Sequence, residues 1–352
     1  MDVVKNVLFI DLTDFYGGGQ KFLDDIHTQF SKQFVLHFIT ASENVFTKLT
    51  CPNKVLFKQN SYSKSFVMIR AINRYVKENN IDYIILNGNR AIYFAPFINK
   101  KNKVAYKHSN NQSLTGIKKL VSVVSLHFAY LFVRKIIVLY TGAKEEIWFK
   151  SKVAVIPNGV NTKQLSRHTA ASQHNEKVVV SMIGRVDENK SQQLVVDILK
   201  TAPALLNKIE LWLVGEGKKL PEIRKTVIEE NLDFVKIMGF RNDIENVLNE
   251  TNILLLYSQY EVFPLTILEA LSMELPVIAT NVGAVKEMVI DDYNGYLLQY
   301  NDKPGLISAL EKLVNNPAMR QQYSFNSRAL AIKEFDISNT VSKIEKVLIA
   351  LD

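Results

Sequence analysis

The second half of the chain alternates short apolar runs, rich in β-branched residues, with stretches in which apolar residues recur every three or four positions. The apolar runs predict six buried parallel strands, at 178–183, 211–214, 235–238, 253–256, 276–280 and 296–298. The stretches between them predict helices at 192–200, 220–230, 244–249, 265–273, 285–289 and 306–314. This order predicts a doubly wound α/β sheet with right-handed crossovers.

The first half repeats the alternation less regularly. Its predicted strands are 7–12, 34–39, 83–86, 104–106 and 136–139, and its predicted helices include 22–30 and 67–76. We therefore expect two Rossmann-like domains facing each other across a cleft, with these bounds: 1–160, a polar linker at 161–176, 177–335, and a helical segment at 336–352 that packs back on the first domain. Ligands of open α/β sheets bind beyond the carboxyl ends of the strands, so the cleft is the expected site.

Composition narrows the class of protein. A chain of 352 residues, 47% of them hydrophobic, is long enough for two cores. The single cysteine, Cys51, has no partner for an internal disulfide, which favours a reducing compartment. The apolar stretches are shorter than the roughly 20 residues that a membrane span needs, and the first one is too short for a signal peptide. We expect a cytoplasmic protein, with the inner face of the cell membrane as a candidate peripheral attachment site.

Charge is divided unevenly along the chain. The net charge of the chain is +8. Residues 1–156 hold 22 lysines and arginines against 10 acidic residues, whereas the remaining residues hold 21 lysines and arginines against 25 acidic residues. The basic half predicts an anionic partner, and a membrane surface, a phosphorylated acceptor and nucleic acid all fit. A helix predicted within 114–135 begins near Lys118 and Lys119 and ends near Arg134 and Lys135. Its pattern fits a helix lying on an anionic membrane and fits a buried helix equally well.

The stretch 258–269 carries the strongest indication of chemistry. Pro264 suits the first turn of the helix predicted after the strand 253–256. Amides of Phe263, Leu265 and Thr266 would then form a helix N-terminus, which favours a diphosphate. Glu261 before the helix and Glu269 on it are good acceptors for sugar and ribose hydroxyls. The alternative is that Glu261 caps the helix and Glu269 is a solvated surface residue.

Basic residues follow the strand 178–183. Gly184 and Arg185 come directly after it, and Lys190 follows within the same loop. Two such cations at the carboxyl end of a strand can bind one anion, and arginine offers a phosphate two parallel donors. The alternative is a charged surface loop.

Two features of the first half point to the same edge of its sheet. The glycine run 17–19, with Gly18 and Gly19 at its end, lets the backbone approach a ligand closely, although it is not a dinucleotide fingerprint. His108 follows the strand 104–106. A flexible turn and a structural histidine are the alternatives.

Taken together, these residues resemble the retaining glycosyltransferases of family 4, which have the GT-B fold. The resemblance covers nearly the whole chain and depends most on the E-x7-E pair, Glu261 and Glu269. Supporting motifs follow in order: PNGV at 157–160, GR at 184–185 with Lys190, VGEG at 214–217, MGF at 238–240, PVIA at 276–279, and Gly283 with Glu287.

The resemblance implies a role for each matching residue. Residues 1–160 would bind the acceptor and 177–335 the nucleotide-sugar. Arg185 and Lys190 would hold the donor diphosphate, Glu261 the transferred sugar and Glu269 the nucleotide ribose. The remaining donor-site and catalytic residues that it implies are Gly18, Gly19, His108, Gly184, Phe240, Arg241, Val262, Phe263, Pro264 and Leu265.

The resemblance also implies the type of reaction. No metal and no other cofactor is expected, because the basic pair and the helix end neutralise the leaving diphosphate. Retention in this family is explained by front-face attack, so we assign no protein nucleophile. The sequence departs from the family at Ser191 and Glu274, where glycine is usual, and at Gln20, where an acid is common. These departures bear on the choice of sugar and acceptor.

We therefore interpret the chain as a hexosyl- or N-acetylhexosaminyltransferase. It would use a UDP-sugar and a lipid-linked or growing surface glycan such as capsule or lipopolysaccharide. One alternative is a sugar-nucleotide epimerase or hydrolase of the same fold. Another is a non-enzymatic nucleic-acid binder, which the acidic second half and the absence of a base-stacking platform disfavour.

Overall fold

The computed structural model describes residues 4–14, 16–57, 65–108, 115–167 and 177–352. The chain divides into two compact units. The first comprises Met1–Gly159 and Ile337–Asp352, and the second comprises Val160–Asp336. Each unit is an α/β domain with its own sheet.

The first unit contains a seven-stranded parallel sheet in the order β3-β2-β1-β4-β5-β6-β7. Its strands are β1 (Lys5–Asp11), β2 (Phe34–Thr40), β3 (Lys54–Leu56), β4 (Tyr83–Asn87), β5 (Lys103–Lys107), β6 (Lys135–Val138) and β7 (Val153–Val155). The central strands β4 and β5 are buried along their whole length. This burial explains why residues 83–86 of β4 and 104–106 of β5 are continuously apolar instead of alternating.

Helices on both faces cover this sheet. They are α1 (Gly18–His27), α2 (Glu43–Lys48), α3 (Ser65–Glu78), α4 (Gly88–Ile92), α5 (Gly116–Tyr130), α6 (Thr141–Glu145) and, near the end of the chain, α15 (Ile337–Ile349). Short 3-10 turns lie at Ala95–Phe97 and Lys150–Lys152.

The PNGV motif is where α15 meets the rest of the first unit. A Cβ at Gly159 would lie 2.5 Å from the Cα of Ile337, so only glycine allows this approach. Thr340 Oγ1 donates to the carbonyl of Pro157 at 2.9 Å. Farther along α15, Glu345 Oε1 accepts from the amide of Ser31 at 2.7 Å. These contacts explain why residues 337–352 belong to the first unit.

The second unit contains a six-stranded parallel sheet in the order β10-β9-β8-β11-β12-β13. Its strands are β8 (Val178–Ile183), β9 (Ile209–Val214), β10 (Val235–Gly239), β11 (Ile253–Leu256), β12 (Val277–Thr280) and β13 (Gly295–Leu298). In sequence order within the unit this is 3-2-1-4-5-6, the Rossmann order, whose ligand crevice lies between the first and fourth strands.

Eight helices belong to the described part of this unit. They are α7 (Gln192–Leu199), α8 (Pro203–Leu206), α9 (Leu220–Glu229), α10 (Ile244–Glu250), α11 (Leu265–Ser272), α12 (Val285–Met288), α13 (Lys303–Asn315) and α14 (Pro317–Glu334). The core lies between them and the sheet, with Val180, Leu211, Ile253 and Leu310 among its fully buried members.

The structure departs from the predicted elements in two places. Residues 161–167 were predicted as part of a linker, but Arg167 donates to the carbonyl of Thr251 at 3.1 Å and Leu165 accepts from Ser272 Oγ at 2.6 Å, so this segment packs on the second unit. The rest of the predicted linker, 168–176, lies outside the described residues. Helix α14 was not predicted.

Helix α5 corresponds to the predicted helix at 114–133. Leu126, Ala129 and Tyr130 on one face are buried, whereas Ile117 and Phe128 on the other are exposed. Helix α5 is therefore buried on one face only, and the alternative of a buried helix was wrong for the other face. Among the described residues, no helix combines the length and the apolar character needed to cross a bilayer.

Candidate active site

The predicted donor ligands of the second unit lie at the switch point of its sheet. Strands β8 and β11 are neighbours there, and the chain leaves them toward opposite sides of the sheet. The loop after β8 (residues 184–191) carries Lys190, and the loop after β11 (residues 257–264) carries Glu261. The strand order alone therefore brings together side chains 71 positions apart.

Lys190 and Glu261 form a half-buried ion pair. Lys190 Nζ lies 2.5 Å from Glu261 Oε1, and the two side chains are 17% and 12% exposed. The φ of Gly184 is +143°, a backbone conformation that favours glycine, and Lys190 Cε packs beside it. An ammonium group has three donors, so two remain for an anion beside the pair. The alternative role of Glu261 as a helix cap was wrong, because α11 has Pro264 as its N-cap and no side-chain cap.

Hydrogen bonds join the two loops directly. Asn189 Nδ2 donates to the carbonyl of Tyr260 at 3.2 Å, and the amide of Tyr260 donates to Asn189 Oδ1 at 3.0 Å. The amide of Gln259 donates to the carbonyl of Asn189 at 2.8 Å. Asn189 thus holds the loop of Glu261 in place. Asn189 had no predicted role, because the local sequence pattern does not indicate that its side chain contacts Tyr260, far along the chain.

The loops after β9 and β12 pack closely against the Lys190 and Glu261 loops, and their glycines leave no room for a Cβ. At Gly215, after β9, a Cβ would lie 1.9 Å from the carbonyl oxygen of Gly184. At Gly283, after β12, it would lie 2.1 Å from the carbonyl oxygen of Glu261, and the φ of Gly283 is +56°. The family's glycines therefore serve close backbone packing around the switch point.

The N-terminus of α11 provides hydrogen-bond donors beside Glu261. Pro264 is the N-cap (φ −71°, ψ 112°), one position before its predicted place in the first turn. The first hydrogen bond of the helix runs from the amide of Ile267 to the carbonyl of Pro264, at 3.1 Å. The amides of Leu265 and Thr266 therefore have no acceptor within the helix, as is general for a first turn.

Thr266 adds a side-chain donor that the sequence analysis missed. Its Oγ1 is buried and has no hydrogen-bond partner within the described part of the chain. A buried hydroxyl without a partner is costly, and this one lies in the first turn of α11. An anion bound at the helix end would satisfy it.

Glu269 and Phe263 are both turned inward. Glu269, near the middle of α11, is 7% exposed, so the alternative of a solvated surface residue was wrong. Phe263 packs edge-on against Phe335, with ring centroids 6.2 Å apart. Any contact of Phe263 with a ligand is therefore restricted to its backbone, and the half-buried Val262 lies between it and Glu261.

The other predicted donor residues lie at the same edge of the sheet but differ in exposure. Arg185 is largely exposed and lies 3.4 Å from Asp187. Phe240 is exposed directly after β10. Arg241 next to it donates Nε to Asp243 at 2.6 Å, and this guanidinium holds the pKa of Asp243 well below its usual range. The side chain of Arg241 is thus held by Asp243.

In the first unit the glycine run and His108 meet at the corresponding point, after β1, β4 and β5. Gly18 and Gly19 form the first turn of α1. The His108 ring packs on Gly19 and Gly88, where an added Cβ would lie 3.2 and 2.9 Å from ring atoms. Nε2 of His108 is buried without a hydrogen-bond partner among the described residues. Burial lowers the pKa of His108, which Asp11 partly opposes, so the ring is neutral near pH 7.

A buried network fixes this corner. The carboxylate of Asp11 accepts from Asn87 Nδ2 at 2.6 Å, from Gln20 Nε2 at 2.9 Å and from the amide of Thr13 at 2.8 Å. Gln20 also accepts from the amide of Gly17 at 3.1 Å. The ends of β1 and β4 and the start of α1 are thus held together around one carboxylate.

Two Rossmann-like units with parallel sheets define the GT-B class of glycosyltransferase fold, and comparison with solved structures agrees. HepE of Anabaena, solved with UDP, superposes with a TM-score of 0.86 at 19% identity, covering 98% of this chain and 100% of that chain. The UDP-glucose complex of the same protein superposes with a TM-score of 0.85 at 20% identity, covering 98% of this chain and 99% of that chain. These likenesses establish the fold.

Residues 165–330 match the model of the family described as glycosyl transferases group 1. A relative is the UDP-Gal:α-D-GlcNAc-diphosphoundecaprenol α-1,3-galactosyltransferase of Escherichia coli, 26% identical over 70% of this chain and 66% of its own length. An uncharacterised glycosyltransferase of Methanocaldococcus jannaschii is 28% identical over 56% of this chain and 54% of its own length. The matched segments span between about half and two thirds of these two relatives.

Proposed function

We propose that this protein transfers a hexose or N-acetylhexosamine, with retention, from a UDP-sugar to a lipid-linked or growing surface glycan such as capsule or lipopolysaccharide. One observation carries the proposal: the Lys190–Glu261 ion pair lies at the switch point beside a helix end with a buried, unsatisfied hydroxyl at Thr266. Such a site offers donors to a diphosphate and a carboxylate to sugar hydroxyls side by side.

Each group has a role in this proposal. The free donors of Lys190 and the exposed guanidinium of Arg185 bind the diphosphate, with Thr266 Oγ1 and the first amides of α11. Glu261, oriented by Lys190, accepts from hydroxyls of the transferred sugar. Glu269 accepts from the nucleotide ribose. The assignments of Phe240 and Arg241 to the base and of His108 to the reacting sugar follow from the family resemblance.

The reaction needs no protein nucleophile. The bond between the anomeric carbon and the leaving phosphate oxygen breaks, and the acceptor oxygen forms its bond on the same face of the sugar. The acceptor proton passes to the departing diphosphate oxygen. The negative charge that develops on the diphosphate is balanced by Arg185, Lys190 and the end of α11, which act where charge accumulates. The proposed reaction is therefore independent of a metal ion.

The relatives support the choice of donor and acceptor class. The E. coli relative is named for a UDP-sugar donor and a diphosphoundecaprenol-linked acceptor. HepE was crystallised with UDP and with UDP-glucose. A basic first half fits an acceptor that carries a diphosphate.

A donor screen followed by product analysis tests the proposal. Thermal unfolding is measured with UDP-, GDP- and ADP-sugars. A ligand present at 100 times its Kd adds roughly 2.7 kcal/mol of stability, and we expect UDP-sugars to give the largest shift. The donor that binds is then incubated with and without a lipid-linked glycan acceptor. Transfer only when the acceptor is present supports the proposal, whereas epimerised or hydrolysed sugar in both samples indicates the alternative reaction.

A further inference from the structure

One face of α5 and its C-cap is apolar and open to solvent. Its members, which we call the apolar stripe, are between 49% and 81% exposed: Ile117, Leu120, Val121, Val124, Phe128 and Leu131. At about 100° per residue these positions fall within an arc of about 120°. The stripe is about 21 Å long at about 1.5 Å per residue. Contiguous apolar surface of this kind indicates a binding surface.

The opposite face of α5 anchors it to the first unit. Leu126, Ala129 and Tyr130 are buried there, and Ser122 Oγ lies 2.9 Å from the hydroxyl of Tyr93. The helix is therefore already seated, and the apolar stripe is not the surface by which it joins its own domain. An exposed aromatic residue extends the surface: Trp148 is 65% exposed and stacks on His127 of α5, with ring centroids 4.0 Å apart.

The sequence around the apolar stripe is rich in basic residues, and the acids that follow it, Glu145 and Glu146, are paired with Lys150 and Lys107. Residues 83–144 contain ten lysines and arginines and not one aspartate or glutamate. Lys118 and Lys119 lie in the first turn of α5 and are exposed. At about 100° per residue, Lys118 lies beside the apolar stripe and Lys119 lies on the opposite side of the same turn. An apolar face with a lysine at its border, a second lysine in the same turn and a tryptophan beside it has the properties of a helix that lies in the surface of an anionic bilayer.

Arg134 does not belong to this basic border, although the sequence analysis grouped it with Lys118 and Lys119. Its guanidinium donates to the carbonyl of Leu351 and, at 3.0 Å, to Asn102 Oδ1. It therefore ties the end of the chain to the first unit.

We propose that the apolar stripe, with Lys118, Lys119 and Trp148, is a lipid-facing surface that docks the first unit on an anionic membrane. The apolar side chains enter the region between headgroups and acyl chains, while the ammonium group of Lys118 remains among the lipid phosphates and that of Lys119 adds positive charge near the anionic surface. The inference is independent of the proposed transfer reaction, because it depends on the surface of α5 alone. If both hold, docking brings the enzyme to the layer that contains a lipid-linked acceptor.

Vesicle sedimentation with matched variants tests the proposal. The full-length protein is mixed with vesicles of phosphatidylcholine alone or with 30% phosphatidylglycerol, at low and at 0.5 M salt. We expect binding to the anionic vesicles that weakens as salt rises. The triple variant Leu120→Ser, Val124→Ser, Phe128→Ser should bind at least tenfold more weakly. Lys118→Glu with Lys119→Glu should remove the preference for anionic lipid.

The control variant changes exposed apolar residues of the second unit, Ile228→Ser with Phe325→Ser, and should bind vesicles as the wild type does. Circular dichroism and UDP titration of every variant show whether the fold and the proposed donor site are unaffected, so failure of one proposal is separable from failure of the other. Absence of binding by the wild type at low salt overturns the inference. So does a triple variant that binds as the wild type does, or one whose only defect is loss of self-association in sedimentation velocity.

Discussion

Two departures from the family pattern are explained by backbone conformation. Ser191 and Glu274 stand where glycine is usual, and both have left-handed backbone, with φ of +56° and +59°. A side chain in this region costs roughly 1–2 kcal/mol, which explains the family preference for glycine. The fold therefore tolerates backbone strain at Ser191 and Glu274, which the sequence alone showed only as departures from the family pattern.

Replacement of Glu274 by glycine should stabilise the protein. Relief of the left-handed strain outweighs the added chain entropy of glycine, so we expect the free energy of unfolding to rise by about 0.5–1 kcal/mol. Chemical denaturation measures the change. Glu274→Ala is the control, because it removes the same carboxylate but keeps the strain. Equal stability of the glycine and alanine variants would contradict this explanation.

The third departure, Gln20, is explained by its buried neighbour. An acid at this position would put a second carboxylate where Gln20 Nε2 now lies 2.9 Å from Asp11. Gln20→Glu should therefore destabilise the first unit by about 1–3 kcal/mol at pH 7. Repulsion raises the pKa of the introduced carboxyl above its unfolded value, so the defect should shrink as pH falls and grow as pH rises through that raised pKa. A defect of constant size in denaturation experiments between pH 4 and 7 is the contrary result.

Among the strands and helices, those with a continuous apolar sequence were the ones that could be predicted. Strands β8 and β11 were predicted with their observed bounds, because both are buried and consist of apolar residues apart from Ser181 in β8. The edge strands β3 and β7 were missed, since each has three residues and none of these is fully buried. Helix α14 was missed because its buried face includes Asn326 and Ser327, which interrupt any apolar period.

The loops of the candidate site depend on contacts that no local pattern reveals. Asn189→Ala removes both side-chain hydrogen bonds to Tyr260, which hold the Glu261 loop against the Lys190 loop. We expect donor affinity to fall about fivefold, equivalent to about 1 kcal/mol, with little change in stability. Calorimetric titration of UDP measures the effect. Asn315→Ala removes a hydrogen bond to Lys208 elsewhere in the unit and should leave the affinity unchanged; an equal loss in both variants would mean that the loop contact is not the cause.

At the scale of the molecule, the sequence predicted two Rossmann-like domains and the loops that hold the candidate donor residues. It could do so because strand ends, glycines and charged residues follow one another at short range. It did not predict the hydroxyl of Thr266, and it left undecided whether α5 has an open face. Both depend on which side of a helix is covered, and an amphipathic pattern with apolar residues on two faces does not decide this.

The charge distribution of the site predicts that activity is independent of metal ions. Arg185, Lys190 and the end of α11 already neutralise the leaving diphosphate in the proposed reaction. Transfer should continue at an unchanged rate in excess EDTA, as measured by release of UDP. Complete loss that Mg²⁺ or Mn²⁺ restores would contradict the prediction.

In the proposed site, Glu261 acts on the transferred sugar and Glu269 on the nucleotide. Both variants, Glu261→Gln and Glu269→Ala, are first checked for folding, because Glu269 is buried. Calorimetric titration of UDP and steady-state kinetics with the sugar donor are then compared. We predict that Glu269→Ala weakens UDP binding roughly tenfold or more, the loss of a charged hydrogen bond of about 1.5–3 kcal/mol, while Glu261→Gln lowers kcat far more than UDP affinity. If Glu269→Ala binds UDP as the wild type does and Glu261→Gln keeps full turnover, the assignment of this site is wrong.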